Sequence, residues 1–308
     1  MLSAKETSLM NRFPDGARVC FIGDSITHNN LFVSHIVAYY RAHFPQSKVE
    51  FYNCGISGGT LTTILNVFDE DILPYAPTHA VLMIGINDAN LGALLDSGAP
   101  RYHAVEEAFL RYKNNLVRLC QRLQETGTEL TLCTPMPYAE YLTSDVAPYP
   151  GGSALLLAYA EYLRKFAAEQ GYPICDYHAF ATRTMQTEEL YQADRVHPNP
   201  RGHYYMAKCF LAFQGLELGE EKELPSDIRE WSAIVSLVRN TIATEHFILH
   251  DDFTTTQEER KAAIKEYLET EQTGPHVEYF KTLSAQYQEI KPKQQEHIAF
   301  ITDFMKNQ

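Results

Sequence analysis

From Arg18 to Phe213 the apolar positions follow one repeated rhythm, in which a short continuous apolar run ends in glycine and polar residues and is followed by a stretch of helical spacing. The first run, Val19-Cys20-Phe21-Ile22, stops at Gly23-Asp24-Ser25, the pattern of a strand buried on both faces. From Asn29 to Phe44 the apolar residues Leu31, Phe32, Ile36, Val37 and Tyr40 recur at helical steps. A second strand over Lys48 to Asn53 runs into the glycine-rich turn Asn53 to Thr60, and Leu61, Ile64, Leu65 and Phe68 mark a short helix. The third strand, His79 to Ile84, ends in Gly85-Ile86-Asn87-Asp88. A long amphipathic helix over Ala104 to Thr126 closes at Gly127, and Leu130 to Cys133 is the fourth strand. A helix over Leu155 to Gln170 stops at Gly171, Tyr172 to Tyr177 reads as the fifth strand, and Gly202 to Phe213 as a further helix. Alternation with short turns predicts an α/β protein whose parallel sheet is covered by helices on both faces.

Beyond Gly215 the pattern changes. Glu217, Glu220, Glu221 and Glu223 form an acidic linker, and then Ile228, Trp231, Val235, Val238 and Ile242 fall on one helical face. Thr256 and Glu259 read as a capping box opening another helix, and apolar positions around Val277 to Tyr287 and Ile298 to Met305 predict two more. The expected division is a catalytic domain over 1–215 and an all-helical extension over 216–308. Two fates are open to these helices, packing on their own core or reaching across a two-fold axis to form a homodimer, and the apolar area that Trp231, Phe247, Phe253 and Phe280 offer beyond the needs of the core favours the second.

The chain has 308 residues, 45% hydrophobic and 21% charged, enough for a packed core. Its formal net charge of -13 argues against nucleic acid and anionic membranes, which call for clustered Lys and Arg. The six cysteines lie in apolar patterns without metal spacing and read as buried thiols in a reducing compartment. The first residues lack a signal-peptide pattern and no long apolar run occurs, so a cytoplasmic protein without membrane attachment is expected. No His-Glu-x-x-His, phosphate loop or Cys/His cluster is visible, so neither a metal nor a cofactor is expected.

Two polar features attract chemistry. Ser25 sits where a buried strand ends and a helix begins, the rim at which open α/β sheets bind ligands. His197, one of twelve histidines, is singled out by the spacing Asp194-Arg195-Val196-His197-Pro198, and Pro198 disfavours helical backbone at the imidazole. In order along the chain stand Phe21-Ile22-Gly23-Asp24-Ser25-Ile26-Thr27, Asn53-Cys54-Gly55-Ile56-Ser57-Gly58, Gly85-Ile86-Asn87-Asp88 and Asp194-Arg195-Val196-His197. These four blocks, between Arg18 and about Phe213, resemble those of the SGNH hydrolases, the GDSL esterase/lipase family. The resemblance implies a three-layer, flavodoxin-like sheet of five strands and a serine nucleophile, Ser25. It implies His197 as general base, Asp194 orienting it, and an oxyanion hole from the N–H groups of Ser25 and Gly58 and the amide of Asn87. Many relatives have Asp after the second-block glycine, where this chain has Gly59.

The implied activity is hydrolysis of short-chain esters, with an acetyl group on a carbohydrate as the leading substrate. The loop Pro135 to Gly152 carries Tyr138, Tyr141 and Tyr149, whose rings either stack on substrate or pack the loop down. An acyltransferase using the same acyl-enzyme and a catalytically inactive carbohydrate-binding module are the alternatives.

Overall fold

The structure, a computed structural model, describes residues 11–95 and 99–249. Five parallel strands, β1 (Arg18–Gly23), β2 (Glu50–Gly55), β3 (His79–Met83), β4 (Glu129–Cys133) and β5 (Ile174–Cys175), form one sheet in the order β2-β1-β3-β4-β5. Between and after them run helices α1 (Ser25–His28), α2 (Leu31–His43), α3 (Leu61–Val67), α4 (Ala99–Glu125), α5 (Gly152–Gln170), α6 (Tyr177–Thr184), α7 (Pro200–Phe213) and α8 (Ser226–Leu249). The flavodoxin-like order follows from the expected alternation once handedness is applied. The β1-to-β2 crossover runs one way along the sheet and every later crossover the other, so right-handed connections put α2 opposite α3, α4 and α5.

Residues 19–23 of β1 are buried throughout, as their unbroken apolar run requires. On the α2 side, Phe21 meets the rings of Phe32, Phe51 and Phe210 at centroid distances of 5.9, 6.4 and 5.8 Å. α7 returns to pack on α2, where His203 stacks on Phe32 with planes 7° apart. On the other face Tyr159 of α5 lies against Tyr112 of α4, centroids 4.7 Å apart. All six cysteines are buried thiols.

The structure corrects one expected strand and adds two helices that the pattern did not announce. The helix expected over 29–44 is α2, and Ser25–His28 adds a separate helical turn ahead of it, the two parted at Asn30, which takes the left-handed conformation at φ 67°. The fifth strand shrinks from Tyr172–Tyr177 to Ile174–Cys175. Pro173 precedes it without a backbone donor, and Asp176 accepts from the Ala179 N–H to cap α6, an element the apolar pattern did not announce. By its contacts the chain divides into compact units Met1–Ser232 and Ala233–Gln308. The start of α8 is bound into the first unit. Ile228 and Trp231 are buried, Asp227 pairs with Arg41 at 2.8 Å, and Ser232 Oγ bonds Ser34 Oγ at 2.9 Å.

The second unit contains the rest of α8 through Leu249. The capping box at Thr256, the helices expected around Val277 and Ile298, and Phe253 and Phe280 lie outside the described residues. Among the described residues no helix is long and apolar enough to cross a membrane.

Candidate active site

β1, β2 and β3 finish level, with Gly23 opposite Gly55 on one side and Met83 on the other. Their crossovers leave for opposite faces, which opens a crevice beyond the end of β1. Glycine is needed there because α1 lies directly on the strand ends. A Cβ on Gly23 would stand 2.3 Å from Thr27 Oγ1, and one on Gly55 would stand 2.2 Å from the His28 nitrogen. Asp24 caps α1 by accepting from the Ile26 N–H at 3.0 Å, and Ser25 opens it. The N–H groups of a first helical turn have no partner inside the helix.

From the far end of the chain, His197 reaches this serine. Ser25 Oγ lies 2.7 Å from His197 Nε2, and His197 Nδ1 lies 2.7 Å from Asp194 Oδ2. The other carboxylate oxygen, Oδ1, accepts from the backbone N–H groups of Val196 at 3.0 Å and His197 at 2.9 Å. Partial burial works to raise the Asp194 pKa, but bonds from the His197 backbone and ring and from Val196 outweigh it and hold the carboxyl below its usual range. An ionised Asp194 can only accept, so Nδ1 is assigned the proton and Nε2 faces the Ser25 hydroxyl as an acceptor. The pair is half-open to water, with side-chain exposures of 38% for His197 and 42% for Asp194.

The second and third blocks converge on the same rim. Gly58 stands at φ 71°, a left-handed turn position that favours a residue without a Cβ. Asn87 Nδ2 donates to the Gly59 carbonyl at 2.9 Å, which fixes the amide while using one of its two hydrogens. Next to it, buried Asp88 accepts the Leu61 N–H on both oxygens, at 3.0 and 3.3 Å. The loop after β3 is thereby stitched to the loop after β2.

Buried carboxylates in this stitching were not legible as such in the sequence. Burial pushes Asp24 up to about 6, against the pull of the Ile26 N–H and of His197. Burial and the neighbouring Asp24 push Asp88 up to about 7, against the Leu61 N–H. Their signal was their place directly beside Ser25 and Asn87. Of the three loop tyrosines, Tyr138 packs the loop down, buried with its hydroxyl accepting from the Tyr149 N–H at 2.9 Å, whereas Tyr141 is 89% exposed. Among the described residues no group of three or more His, Cys, Asp or Glu side chains is placed to hold a metal ion.

A flavodoxin-like parallel sheet with a hydrogen-bonded serine, histidine and aspartate at its carboxyl rim has the architecture of an α/β hydrolytic enzyme. Residues 21–205 match the model of the GDSL-like lipase/acylhydrolase family. The chain is 27% identical over 221 residues to an acetylxylan esterase of Geobacillus stearothermophilus, covering 66% of this chain and 95% of that one. A solved structure of a catalytic mutant of that organism's acetylxylan esterase Axe2, with aspartate replaced by alanine, superposes with a TM-score of 0.56 at 25% identity, covering 68% of this chain and 99% of the other. The fold is also shared, at TM-score 0.74 and 16% identity over 97% of each chain, with BT4096, a gut microbial diltiazem-metabolizing enzyme. This chain therefore belongs to the GDSL-like lipase/acylhydrolase family, the SGNH hydrolases, and is a carboxylic ester hydrolase.

Proposed function

We propose that this protein removes short acyl groups, acetyl foremost, from carbohydrate esters, with Ser25 as nucleophile, His197 as general base and Asp194 as the group that orients and charges the imidazole. The observation that carries the reading is the pair of 2.7 Å contacts running from Ser25 Oγ through both ring nitrogens of His197 to Asp194. The acetylxylan esterase relationship supports the acetyl and sugar halves of the substrate.

In the first half-reaction Ser25 Oγ attacks the ester carbonyl carbon while its proton passes to His197 Nε2. The carbonyl oxygen becomes an oxyanion, met by the N–H groups of Ser25 and Gly58 and the second amide hydrogen of Asn87. Collapse breaks the bond to the sugar oxygen, which leaves as a hydroxyl with the proton from His197. Water then attacks the acyl-serine, giving its proton to His197, and the serine leaves with that proton as the carboxylic acid forms. The negative Asp194 carboxylate favours the imidazolium of both steps.

The test is hydrolysis of p-nitrophenyl esters from acetate to decanoate and of acetylated xylo-oligosaccharides by wild type, Ser25→Ala and Asn87→Ala. Activity confined to short acyl groups, lost in Ser25→Ala and reduced by roughly 10²–10³ in Asn87→Ala, is expected. Turnover by Ser25→Ala equal to wild type would sink the mechanism. The reading includes self-association through the C-terminal helices, which a monomer mass for the full chain in light scattering would refute.

A further inference from the structure

Arg195 is out of place on two counts. It lies between Asp194 and His197 at φ 69°, in the left-handed region where glycine is the low-cost residue and a long side chain is strained. Its side chain is also buried, the residue being only 4% exposed, yet all its partners among the described residues are main-chain carbonyls. Nε donates to the Val146 carbonyl at 2.9 Å. Nη1 is ringed by the carbonyls of Glu140 at 3.0 Å, Ala139 at 3.4 Å and Leu142. These acceptors span the loop after β4.

The side chain is not alone in joining the two segments. The Ala139 N–H donates to the Arg195 carbonyl at 3.0 Å, the Tyr191 hydroxyl to the Pro137 carbonyl at 2.6 Å, and the Ser144 hydroxyl to the Ala193 carbonyl at 2.5 Å. The segment that carries Asp194 and His197 is thus fastened to loop 137–146 along its length, with the guanidinium at the centre of the joint. The same loop holds Tyr141 and Val146 at the surface, 89% and 45% exposed. A planar cation with five donors suits this task, because carbonyls converging from several directions need a fixed fork of charge-assisted bonds.

We propose that Arg195 is a positioning residue that sets the Asp194–His197 segment and the loop after β4 as one unit, so that the general base and a substrate-facing wall take their places together. The proposal rests on the esterase reading above. Without the guanidinium the loop carbonyls lose their donor, and His197 loses the support that keeps Nε2 at hydrogen-bond distance from Ser25 Oγ.

The test compares wild type, Arg195→Gly, Arg195→Lys and Ser25→Ala. Glycine accepts the left-handed backbone, so the Gly variant removes the side chain while relieving the strain. Active sites are titrated with diethyl p-nitrophenyl phosphate, and kcat is expressed per titrated site, which a lower folded fraction does not move. For Arg195→Gly we expect kcat per site on p-nitrophenyl acetate to fall at least tenfold with KM within twofold of wild type, and KM for acetylated xylo-oligosaccharide to rise at least fivefold. Arg195→Lys, which has a point charge in place of the fork, is expected between the two and decides the matter if the Gly variant does not fold. A kcat per site within twofold of wild type without a KM split, in whichever variant folds, overturns the proposal. Ester turnover retained in Ser25→Ala would instead overturn the catalytic reading beneath it.

Discussion

Replacing Asp194 by asparagine tests the electrostatics of the site with almost no change of shape. The orientation of the new amide is dictated by the backbone. Oδ1 of Asp194 accepts from the N–H groups of Val196 and His197, so asparagine must keep its oxygen there and turn its NH₂ toward His197 Nδ1. A donor facing Nδ1 demands the tautomer with hydrogen on Nε2, which can no longer accept from Ser25. Recovering the working tautomer sets two donors against each other, a cost of about 1 kcal/mol, the low end for an unmade bond because the pair is half-open to water. Loss of the charge adds to this. At 2.7 Å the Coulomb attraction in the transition state is about 1.5 kcal/mol at a water-like dielectric, and the exposed setting of the pair keeps it near that lower end. The sum, about 2–3 kcal/mol, corresponds to a loss of roughly 30- to 150-fold in kcat. Asp194→Ala loses the charge without imposing the wrong tautomer, so it is expected to be slower than wild type by about 10–10² and faster than Asp194→Asn. The assay is kcat on p-nitrophenyl acetate per titrated active site, with circular dichroism to check folding. An Asn variant as fast as the Ala variant, or within threefold of wild type, refutes the tautomer argument.

Other consequences follow from the rim. Gly55→Ala puts a Cβ where the His28 nitrogen would be 2.2 Å away, so α1 must shift; urea unfolding is expected to show a loss of about 1–3 kcal/mol, with a fall in activity because Ser25 opens that helix. Burial raises the Asp88 pKa to about 7, so between about pH 4 and 7 folded protein holds a proton that unfolded protein has released, and wild-type stability falls as pH rises through that window. Asp88→Asn lacks this slope, and unfolding at pH 5 and pH 8 should show it gaining on wild type by about 3 kcal/mol at the higher pH, about 1.4 kcal/mol for each unit between pH 5 and the folded pKa of about 7. An equal difference at both pH values would refute the raised pKa. For Asp194 the sign is opposite: its lowered pKa gives stability that is present above the usual carboxylate pKa and lost as pH falls through the folded value, so Asp194→Ala should narrow its gap to wild type in acid unfolding below pH 4.

The strands were legible because burial on both faces leaves a mark that period alone carries, an unbroken apolar run closed by glycine. The catalytic blocks were legible because each lies where such a run ends, and chemistry in a parallel sheet is confined to that rim. Where a local polar residue competed with the pattern, reading failed. Asp24 capped the turn Ser25–His28, which no apolar period announced, and Asp176 capped α6 in what resembled strand. The sequence by itself thus determined the elements, their order and the residue types at the rim, since these depend on periodicity and on neighbours in the chain. Only the tertiary structure decided the rest: the bond from Ser25 to His197 across the chain, the burial that raises Asp24 and Asp88, the place of Trp231 in the first unit and the carbonyl cage of Arg195. Each depends on groups distant in sequence being brought within a few ångströms, and burial and hydrogen-bond partnership are properties of that assembly, which no single segment carries.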